Sequence, residues 1–480
     1  MELFIRYPVE VQHDVLIELV YKAKNTEWGK QHDYPSIRSY QDYIDKVPLQ
    51  DYESLEKYIT RIQYGEKNVL WPSDIKWFAQ SSGTSTGKSK LIPVSKESLI
   101  DCHYKGGKDL LAIYHHNHPE SKLISGKTLV VGGSTQLNQL KQGSYYGDLS
   151  AIIMKNFPVW VEQRRVPKMS IAIMDDWEEK IEKMAISTAR EEVSNISGVP
   201  SWTLVLLRRI LELNQAENIL EIWPNLELFM HGGVHFSPYQ SQFHKLIPKS
   251  SMNYYENYNA SEGFFGLQDQ SEVKEMLLML DYGIFYEFIE QGSKNKVVIL
   301  SEVELGKIYE LVISTNAGLW RYKMGDTIQF TSLNPFRIKV VGRVKNFINA
   351  FGEELVIENA EKALSYACVK TAAEIKEYTA GPVYFEGNQS GKHQWLIEFE
   401  KLPKDILHFS RILDEQLKLV NADYEAKRSS DLVLGGPEVS CLNSGVFYKW
   451  MKKHNKLGGQ HKVPRLSNDR KYIEELLGLV

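Results

Sequence analysis

Apolar residues recur near the start of the chain with the spacing of one helix face. Within residues 9–30 they stand at Val11, Val15, Leu16, Leu19 and Val20. This period predicts an amphipathic helix that packs on its apolar side. Ser95 opens the run SKESLI and predicts the N-cap of another helix. Amphipathic patterns predict two more helices, over Asp175–Ser194 and Ser201–Leu213.

Two short apolar runs end in paired glycines and predict buried strands. The first is KTLVVGG, from Lys127 to Gly133, and the second is LELFMHGGV, which contains Gly232 and Gly233. Residues 297–341 have mostly strand patterns separated by turns. Because helical and strand patterns alternate along the chain, the sequence predicts an α/β fold.

A polar break late in the chain predicts a domain boundary. A strand pattern precedes Gly342, the polar residues Lys345 and Asn346 follow it, and a helical pattern begins at Glu358. We therefore predict a large N-terminal α/β domain of mixed sheets and helices, residues 1–345. A small α+β C-terminal domain is predicted over residues 346–480.

Composition and charge are those of an ordinary folded chain. Of the 480 residues, 43% are hydrophobic and 25% are charged, and the net charge is −4. Neither nucleic acid nor a membrane is therefore an expected partner, and no apolar run reaches membrane-spanning length. The three cysteines lie far apart without metal-ligand spacing, and the start MELFIRYPVE does not match a signal peptide. We expect a cytoplasmic protein without a disulfide framework or a zinc cluster.

The segment Phe78–Pro93, FAQSSGTSTGKSKLIP, concentrates glycines, hydroxyl side chains and lysines between apolar flanks. Glycines let backbone N–H groups turn inward, hydroxyls add donors, and Lys88 and Lys90 add positive charge, which together suit a polyphosphate. A Walker A loop is one alternative, but it requires four residues between its first glycine and the Gly-Lys pair. Gly83 and Gly87 have three between them. A flexible surface turn is the other alternative.

A second segment, Tyr254–Gln268, places one carboxylate among small and aromatic residues. Glu262 stands between Ser261 and Gly263, and Tyr258 lies four residues before it. Such residues can stack an aromatic base, let the backbone approach it and offer an oxygen ligand to Mg²⁺. A core strand with a solvated rim explains the same pattern.

A third segment, Gly318–Phe330, contains the pair Gly325 and Asp326. An aspartate held by a glycine turn can accept both hydroxyls of a ribose. A Gly-Asp hairpin turn explains the same pair. Near the C-terminus, LGGQHKVPRLSNDR carries Lys462 and Arg465, which predict either a mobile basic loop or an ordinary solvated charge run.

In this order, the segments resemble the adenylate-forming superfamily of acyl-CoA synthetases, peptide-synthetase adenylation domains and luciferases. The resemblance is closest to the auxin-responsive Gretchen-Hagen-type acyl acid–amido synthetases and their bacterial relatives, and it spans nearly the whole chain. The most specific matches are SSGTSTGKSK, similar to the phosphate loop, and GRVKNFINAFGEEL, similar to the hinge. HGGV is similar to the end of the adenine-pocket strand, YNASEG to the Tyr-x-x-Ser-Glu motif, WRYKMGD to the ribose motif and QHKVPRL to the Lys-x-Pro-Arg tail.

The resemblance implies roles for individual residues in holding the substrates. Those expected at the triphosphate are Ser82, Thr84, Ser85 and Lys88, and those bordering adenine are Gly233 and Tyr258. Those expected at the ribose are Asp326 and Arg343, and those near the α-phosphate are Ser261, Glu262 and Lys462. Glu262 is also the expected Mg²⁺ ligand. The aromatic candidates for the acyl pocket are Trp202 and Tyr146.

The resemblance also implies a reaction. ATP would activate a small carboxylic acid as an acyl-adenylate, with Mg²⁺, and the acyl group would pass to an amine, an amino acid or another, to form an amide. The small domain would rotate over the active site between the two half-reactions, about a hinge near Asn346. Two alternatives stay open: an acyl-CoA ligase that forms a thioester, and a nucleotide-binding protein without catalysis.

Overall fold

In the computed structural model, a large mixed α/β part is followed by a smaller C-terminal part of helices and strands. The structure describes residues 1–81, 90–132, 137–140, 143–174, 176–234, 236–291, 296–343, 347–385, 389–454 and 463–480. Across these ranges no helix combines the length and the apolar character that a bilayer span requires.

The helices agree with most of the predicted positions. Their bounds, in chain order, are α1 Glu2–Arg6, α2 Pro8–Ala23, α3 Glu27–Gln31, α4 Tyr40–Lys46, α5 Tyr52–Gln63, α6 Lys105–Asn117, α7 Leu149–Lys155, α8 Val159–Arg164, α9 Met169–Ala172, α10 Trp177–Thr188, α11 Pro200–Asn214, α12 Ser237–Leu246, α13 Ile357–Thr371, α14 Ile406–Val420, α15 Ala422–Lys427, α16 Val446–Lys453 and α17 Lys471–Leu477. The predicted first helix is divided into α2 and α3 because Thr26 caps α3, its side chain accepting from the Gly29 N–H. Ser95 accepts from the Ser98 N–H at 2.9 Å and begins the helical stretch that leads into α6.

The strands form one large sheet and three smaller ones. Their bounds are β1 Trp77–Ser81, β2 Lys90–Val94, β3 Lys127–Val131, β4 Asn138–Gln139, β5 Tyr145–Gly147, β6 Arg165–Val166, β7 Val193–Gly198, β8 Leu228–His231, β9 Asn253–Ala260, β10 Gly263–Leu267, β11 Met276–Leu278, β12 Ile284–Glu290, β13 Val297–Ile299, β14 Ile308–Thr315, β15 Tyr322–Leu333, β16 Phe336–Arg343, β17 Phe347–Ile348, β18 Leu355–Val356, β19 Glu374–Val383, β20 Lys392–Lys401 and β21 Glu438–Leu442. The smaller sheets have the orders β2-β1-β5-β4, β17-β18 and β19-β20-β21.

The main sheet changes from antiparallel to parallel along its width. Its twelve strands have the order β13-β12-β14-β15-β16-β11-β10-β9-β8-β7-β3-β6. From β9 to β6 all neighbours run parallel, whereas every other pair in the sheet is antiparallel. The carboxyl ends of β3, β7 and β8 therefore meet at one edge, which is where open α/β sheets bind ligands.

The predicted helix over Asp175–Ser194 was too long, because its last residues belong to a strand. Helix α10 ends at Thr188, and β7 begins at Val193. Both faces of β7 are covered, so even the polar residues Ser194 and Asn195 are buried there. Ser194 Oγ donates to the Leu123 carbonyl at 2.8 Å. A hydrophobic period does not reveal such a strand, because its buried polar residues are satisfied only by tertiary contacts.

The C-terminal part packs directly on helices of the N-terminal part. One apolar core contains Phe351 and Tyr424 together with Trp202 and Tyr239. The two parts are therefore continuous in their packing. The boundary predicted after Lys345 lies in residues 344–346, outside the described residues, and stays a prediction.

Residues 349–354 form a turn, which we call the junction turn. The buried carboxylate of Glu353 stabilises this turn and ties it to the C-terminal part of the protein. This carboxylate accepts from the backbone N–H groups of Ala350, at 3.1 Å, and Phe351, at 2.7 Å. It also accepts from His393 Nε2 at 2.8 Å, and both side chains are fully buried. Three charged or polar donors thus converge on one carboxylate and fix the shape of the turn.

The N-terminal part of the protein also forms hydrogen bonds to the junction turn. Ser201 Oγ, at the start of α11, donates to the Phe351 carbonyl at 3.0 Å. The Tyr239 hydroxyl, on α12, donates to the Ala350 carbonyl at 2.5 Å, and Asn349 Nδ2 donates to the Gly233 carbonyl at 3.0 Å. The turn therefore connects the C-terminal part to the helices that follow β7 and β8.

Replacing Glu353 with Gln should destabilise the protein by about 1–3 kcal/mol near neutral pH, since it removes a buried carboxylate that accepts three hydrogen bonds. Burial raises the pKa of Glu353, but the His393 hydrogen bond and charge and the Phe351 N–H outweigh it, so the pKa is lowered from 4.5. A lowered carboxyl pKa adds stability that is present above 4.5 and lost as the pH falls through the folded value. The difference between parent and variant in urea unfolding should therefore shrink in acid.

The control for this experiment is Glu361→Gln, which changes an exposed glutamate on α13. It should leave the unfolding midpoint within error of the parent at every pH. A Glu353→Gln variant as stable as the parent near neutral pH would show that the carboxylate does not hold the junction turn.

Candidate active site

A cleft of about 450 Å³ opens at the carboxyl edge of the parallel strands. Its floor contains Gly132, Gly198 and Gly232, at or next to the ends of β3, β7 and β8. An added Cβ at Gly232 would lie 2.4 Å from the Asn257 carbonyl oxygen, so only glycine lets the two strand ends approach. Gly233 follows with φ +81° and turns the chain along the cleft wall. The structure thus places Gly233 in the cleft, and its role at the adenine stays a prediction.

The turn between β9 and β10 brings two more predicted residues to the cleft. Ala260 pairs with Gly263, so Ser261 and Glu262 form a two-residue turn between antiparallel strands. Both residues line the cleft. A tight turn of this kind leaves little freedom in where its side chains lie.

A bulge in β15 brings Asp326 into the same cleft. In the neighbouring strand β14, Val312 pairs with Lys323 of β15 and Glu310 pairs with Thr327. Two residues of β14 therefore lie opposite four residues of β15. The extra residues include Gly325, whose φ is +83°, and such bulges redirect side chains at functional sites. The Gly-Asp pair therefore lies inside a strand and not in a hairpin turn.

Asp326 and Tyr258 contact each other within the cleft. The Tyr258 hydroxyl donates to Asp326 Oδ2 at 2.6 Å, and both residues are more than nine-tenths buried. This hydrogen bond fixes the carboxylate next to an aromatic ring. A ribose and its base need these two groups side by side, an acceptor and a flat apolar face.

His231, in the HGGV segment, has a structural role. Its side chain is buried and stacks on Phe236 with ring centroids 4.2 Å apart. Burial lowers the pKa of His231 to about 3, so the imidazole is neutral at physiological pH. Its carbonyl accepts from Asn257 Nδ2 at 3.0 Å, which ties β8 to β9 beside the cleft.

Several predicted residues lie outside the described residues. These are Ser82, Thr84, Ser85 and Lys88 of the proposed phosphate loop, Lys462 of the tail and the side chain of Arg343. The flanks of the loop are described: Ser81 pairs with Lys90 at the end of the β1–β2 pair, and Ser81 lines the cleft. The roles of these residues stay predictions.

Trp202 and Tyr146 are not among the described residues that line the cleft. Trp202 is fully buried and stacks on Trp177, with ring centroids 3.7 Å apart, where α11 packs on α10. Tyr146 lies in β5 and pairs with Phe78 of β1. Helix and strand packing thus accounts for both aromatic side chains.

Other charged residues line the cleft without having been singled out in the sequence. They are Asp148, Glu256, Glu354, Asp423 and Lys427. Glu256 forms no hydrogen bond through its side chain with another described residue, and burial raises its pKa to about 7. The signal for Glu256 was a carboxylate inside a strand pattern, two residues before Tyr258. Lys427 had no comparable signal, because NADYEAKR has the composition of an ordinary surface helix.

The residues at the β9–β10 turn fit a magnesium ion bound together with phosphates. Within the described ranges no group of three or more His, Cys, Asp or Glu side chains is arranged to hold a metal by itself. Magnesium is commonly held by one or two carboxylates plus substrate phosphates and water. Glu262 in the cleft supplies one such carboxylate.

Comparison with solved structures identifies the fold. The chain superposes on GH3.15 acyl acid amido synthetase with a TM-score of 0.61 at 19% identity, covering 98% of this chain and 93% of that one. It superposes on 2-hydroxyisobutyryl-CoA ligase, solved with 2-HIB-AMP and CoA, with a TM-score of 0.55 at 12% identity, covering 98% and 92%. The predicted fold class is confirmed: this is the fold of the adenylate-forming enzymes.

Family models cover most of the sequence. They are the GH3 family N-terminal domain over residues 1–252, the central domain over residues 277–343 and the C-terminal domain over residues 358–471. The chain therefore belongs to the GH3 family, as the sequence motifs indicated. It is 24% identical to indole-3-acetic acid-amido synthetase GH3.4 of Arabidopsis thaliana, covering 97% of this chain and 90% of that protein. It is also 24% identical to 4-substituted benzoates-glutamate ligase GH3.12 of the same plant, covering 97% and 94%.

Replacing Glu256 with Gln should stabilise the protein more in mild alkali than in mild acid. Since the folded pKa is raised from 4.5 to about 7, ionisation costs stability that is absent below 4.5 and complete above about 7. The Gln variant cannot ionise, so its Tm should exceed that of the parent near pH 8 and approach it near pH 5. Glu272→Gln, an exposed control, should show no such trend. An equal change at both pH values would mean that Glu256 titrates normally.

Proposed function

We propose that this protein activates a small carboxylic acid with ATP as an acyl-adenylate and transfers the acyl group to an amino acid, forming an amide. One observation carries the proposal. Residues from separate segments, Gly233, Tyr258, Ser261, Glu262 and Asp326, converge on one cleft in a GH3-family chain. The relatives named as amido synthetase and as glutamate ligase support an acid and an amino acid as the substrates.

The nucleotide is recognised through its base and its ribose. The ring of Tyr258 and the backbone at Gly233 border the adenine, and the Asp326 carboxylate accepts the ribose hydroxyls. The hydrogen bond from Tyr258 to Asp326 keeps the two groups together before the nucleotide arrives. Such preorganisation lowers the entropy lost on binding.

The first half-reaction joins two anions. A carboxylate oxygen of the acid attacks the α-phosphorus of ATP, and pyrophosphate leaves with the electrons of the broken P–O bond. Lys462 and donors of the 82–89 segment, with Ser261 nearby, neutralise the charge that builds on the phosphates. Glu262 would hold magnesium, whose bound charge offsets that of the phosphates.

The second half-reaction forms the amide. The amine nitrogen attacks the carbonyl carbon of the acyl-adenylate, AMP leaves with the electrons of the C–O bond, and the amine loses a proton. No covalent bond to the protein is required. We place the domain boundary at Lys345, with residues 346–480 rotating about it between the two steps, so that the hydrogen bonds from α11 and α12 to the junction turn would exchange on rotation. The protein would act in the cytoplasm, where ATP is supplied.

The experiment that tests this function is acid-dependent exchange of pyrophosphate into ATP, run with a panel of carboxylic acids. Exchange with at least one acid, followed by AMP release stimulated by an amino acid, supports the proposal. Stimulation by CoA in place of an amino acid would favour a thioester-forming ligase. Binding of ATP without exchange for any acid would favour a nucleotide-binding protein without catalysis.

Replacing Asp326 with Ala should abolish discrimination between ATP and 2′-deoxy-ATP. A lost hydrogen bond to a charged group costs about 1.5–3 kcal/mol, which the parent gains only with the 2′-hydroxyl present. The measurement is the kcat/KM of exchange for both nucleotides. Tyr258→Phe, which removes the donor to Asp326 and leaves its carboxylate, should retain discrimination. If Asp326→Ala discriminated as well as the parent, Asp326 would not contact the ribose.

Replacing Lys462 with Ala should lower pyrophosphate exchange by about 10²–10³ while transfer from a synthetic acyl-adenylate to the amine continues. The reason is that a lysine charge at the α-phosphate helps only while that phosphate is being attacked. Both half-reactions are measured on one preparation, with Lys456→Ala as the control from the same stretch. Unchanged exchange, or equal loss in both halves, would remove Lys462 from this role.

A further inference from the structure

Lys427 is a buried cation in the wall of the cleft. It is the last residue of α15, its exposure is 7%, and it lines the cleft with Asp423 of the same helix. Among the described residues that line the cleft, it is the only lysine or arginine. The other charged side chains there are carboxylates: Asp148, Glu256, Glu262, Asp326, Glu354 and Asp423.

The Lys427 ammonium has neither a hydrogen bond nor an ion pair with any described residue. The next residue, Arg428, is also a buried cation, but its guanidinium is fully paired and has a structural role. Arg428 donates to both oxygens of Asp414 at 2.7 Å and to the Leu434 carbonyl at 2.8 Å, and it pairs with Asp431. Buried charges are normally satisfied in this way, so the ammonium of a mostly buried lysine that faces a cleft and lacks such partners suits an anionic ligand.

The surroundings of Lys427 hold its side chain in place without a hydrogen bond or an ion pair to a described residue. Nζ lies 5.3 Å from the centroid of the Trp202 ring, a cation–π distance. Gly352 of the junction turn leaves room for the stem, because an added Cβ there would lie 3.0 Å from Cε. Burial lowers the pKa of Lys427, against the opposing charges of Asp423 and Asp148 and of two glutamates in the junction turn.

Lys427 lies away from the residues proposed for the α-phosphate. Trp202 is in the first turn of α11, directly after β7, whereas Ser261 and Glu262 follow β9. The strand order β9-β8-β7 separates these positions by two strand spacings, roughly 10 Å. We therefore expect the anion at Lys427 on the β7 side of the cleft and the phosphate beside Glu262 on the β9 side.

We propose that Lys427 binds the carboxylate of the amino-acid acceptor and so selects amino acids over amines that lack this group. The inference rests on the proposed amide synthesis. The acceptor is the substrate that brings a second anion, and Lys427 comes from the C-terminal part that closes this side of the cleft. The surrounding carboxylates attract the positively charged amino group of the same molecule.

The test compares an amino acid with its carboxamide as acceptor. Transfer from an acyl-adenylate is measured with alanine and alaninamide, and with the same pair for every other amino acid that the parent accepts. In the parent, kcat/KM should favour the amino acid. Lys427→Met keeps an unbranched side chain over Trp202 and should reduce this preference by roughly 10- to 100-fold. Lys427→Arg should restore most of it.

The matched control is Lys418→Met on α14, a lysine one-third exposed and paired with Asp414. It should keep the preference of the parent. If Lys427→Met does not fold, Lys427→Gln takes its place, and calorimetry of the parent with a stable acyl-adenylate analogue must show tighter binding of an accepted amino acid than of its carboxamide. Equal binding of the two would overturn the proposal.

Two other outcomes would also overturn it. A full preference for the amino acid in folded Lys427→Met would mean that another group binds the carboxylate. A loss in that variant confined to the KM for ATP would assign Lys427 to a phosphate. These two outcomes can be observed only if the parent protein catalyses acid-dependent pyrophosphate exchange. If the parent shows no exchange, the proposed function itself has failed.

Discussion

The buried carboxylate of Glu353 is the constraint on which the arrangement of the cleft depends. It binds two backbone N–H groups and His393, and the turn that it shapes also receives hydrogen bonds from α11 and α12. Through this turn, residues of the C-terminal part, Asn349 and Glu354 among them, are set against the ends of the parallel strands. A single buried carboxylate and its three donors thus position one wall of the cleft relative to the other.

Some buried charged side chains in this protein are paired with other side chains, and one that lines the cleft is not paired with a described residue. Paired charges stabilise the fold, and an unpaired charge can bind a ligand. Arg321 is paired with Glu287 at 2.8 Å and also donates to the Val47 carbonyl, so its charge is fully compensated. Lys427 is buried to a similar degree and has no such partner among the described residues. Satisfied pairs define the fold, whereas a charge left for a ligand marks a binding site.

The sequence predicted those elements and site residues whose signal lies within one short segment of the chain. The runs before Gly133 and Gly232 predicted buried strands, and the segments around Glu262 and Asp326 predicted residues that lie together in the cleft. Glu256 and Lys427 were missed because their environment is created by elements distant in sequence. The start of β7, Val193 and Ser194, was taken for the end of a helix because the buried polar Ser194 is satisfied only in the assembled sheet. Trp202 stacks on Trp177 of α10, and its place in the acyl pocket stays a prediction.

The bulge in β15 and the two-residue turn after β9 have an evolutionary consequence. Both place their residues through strand pairing within the main sheet. Mutations on the helices that also line the cleft, α7 and α15, can therefore accumulate and alter which molecules the cleft accepts while the strand geometry around Glu262 and Asp326 is inherited unchanged. Related proteins with this arrangement can therefore change which substrates they join through substitutions on one wall of the cleft.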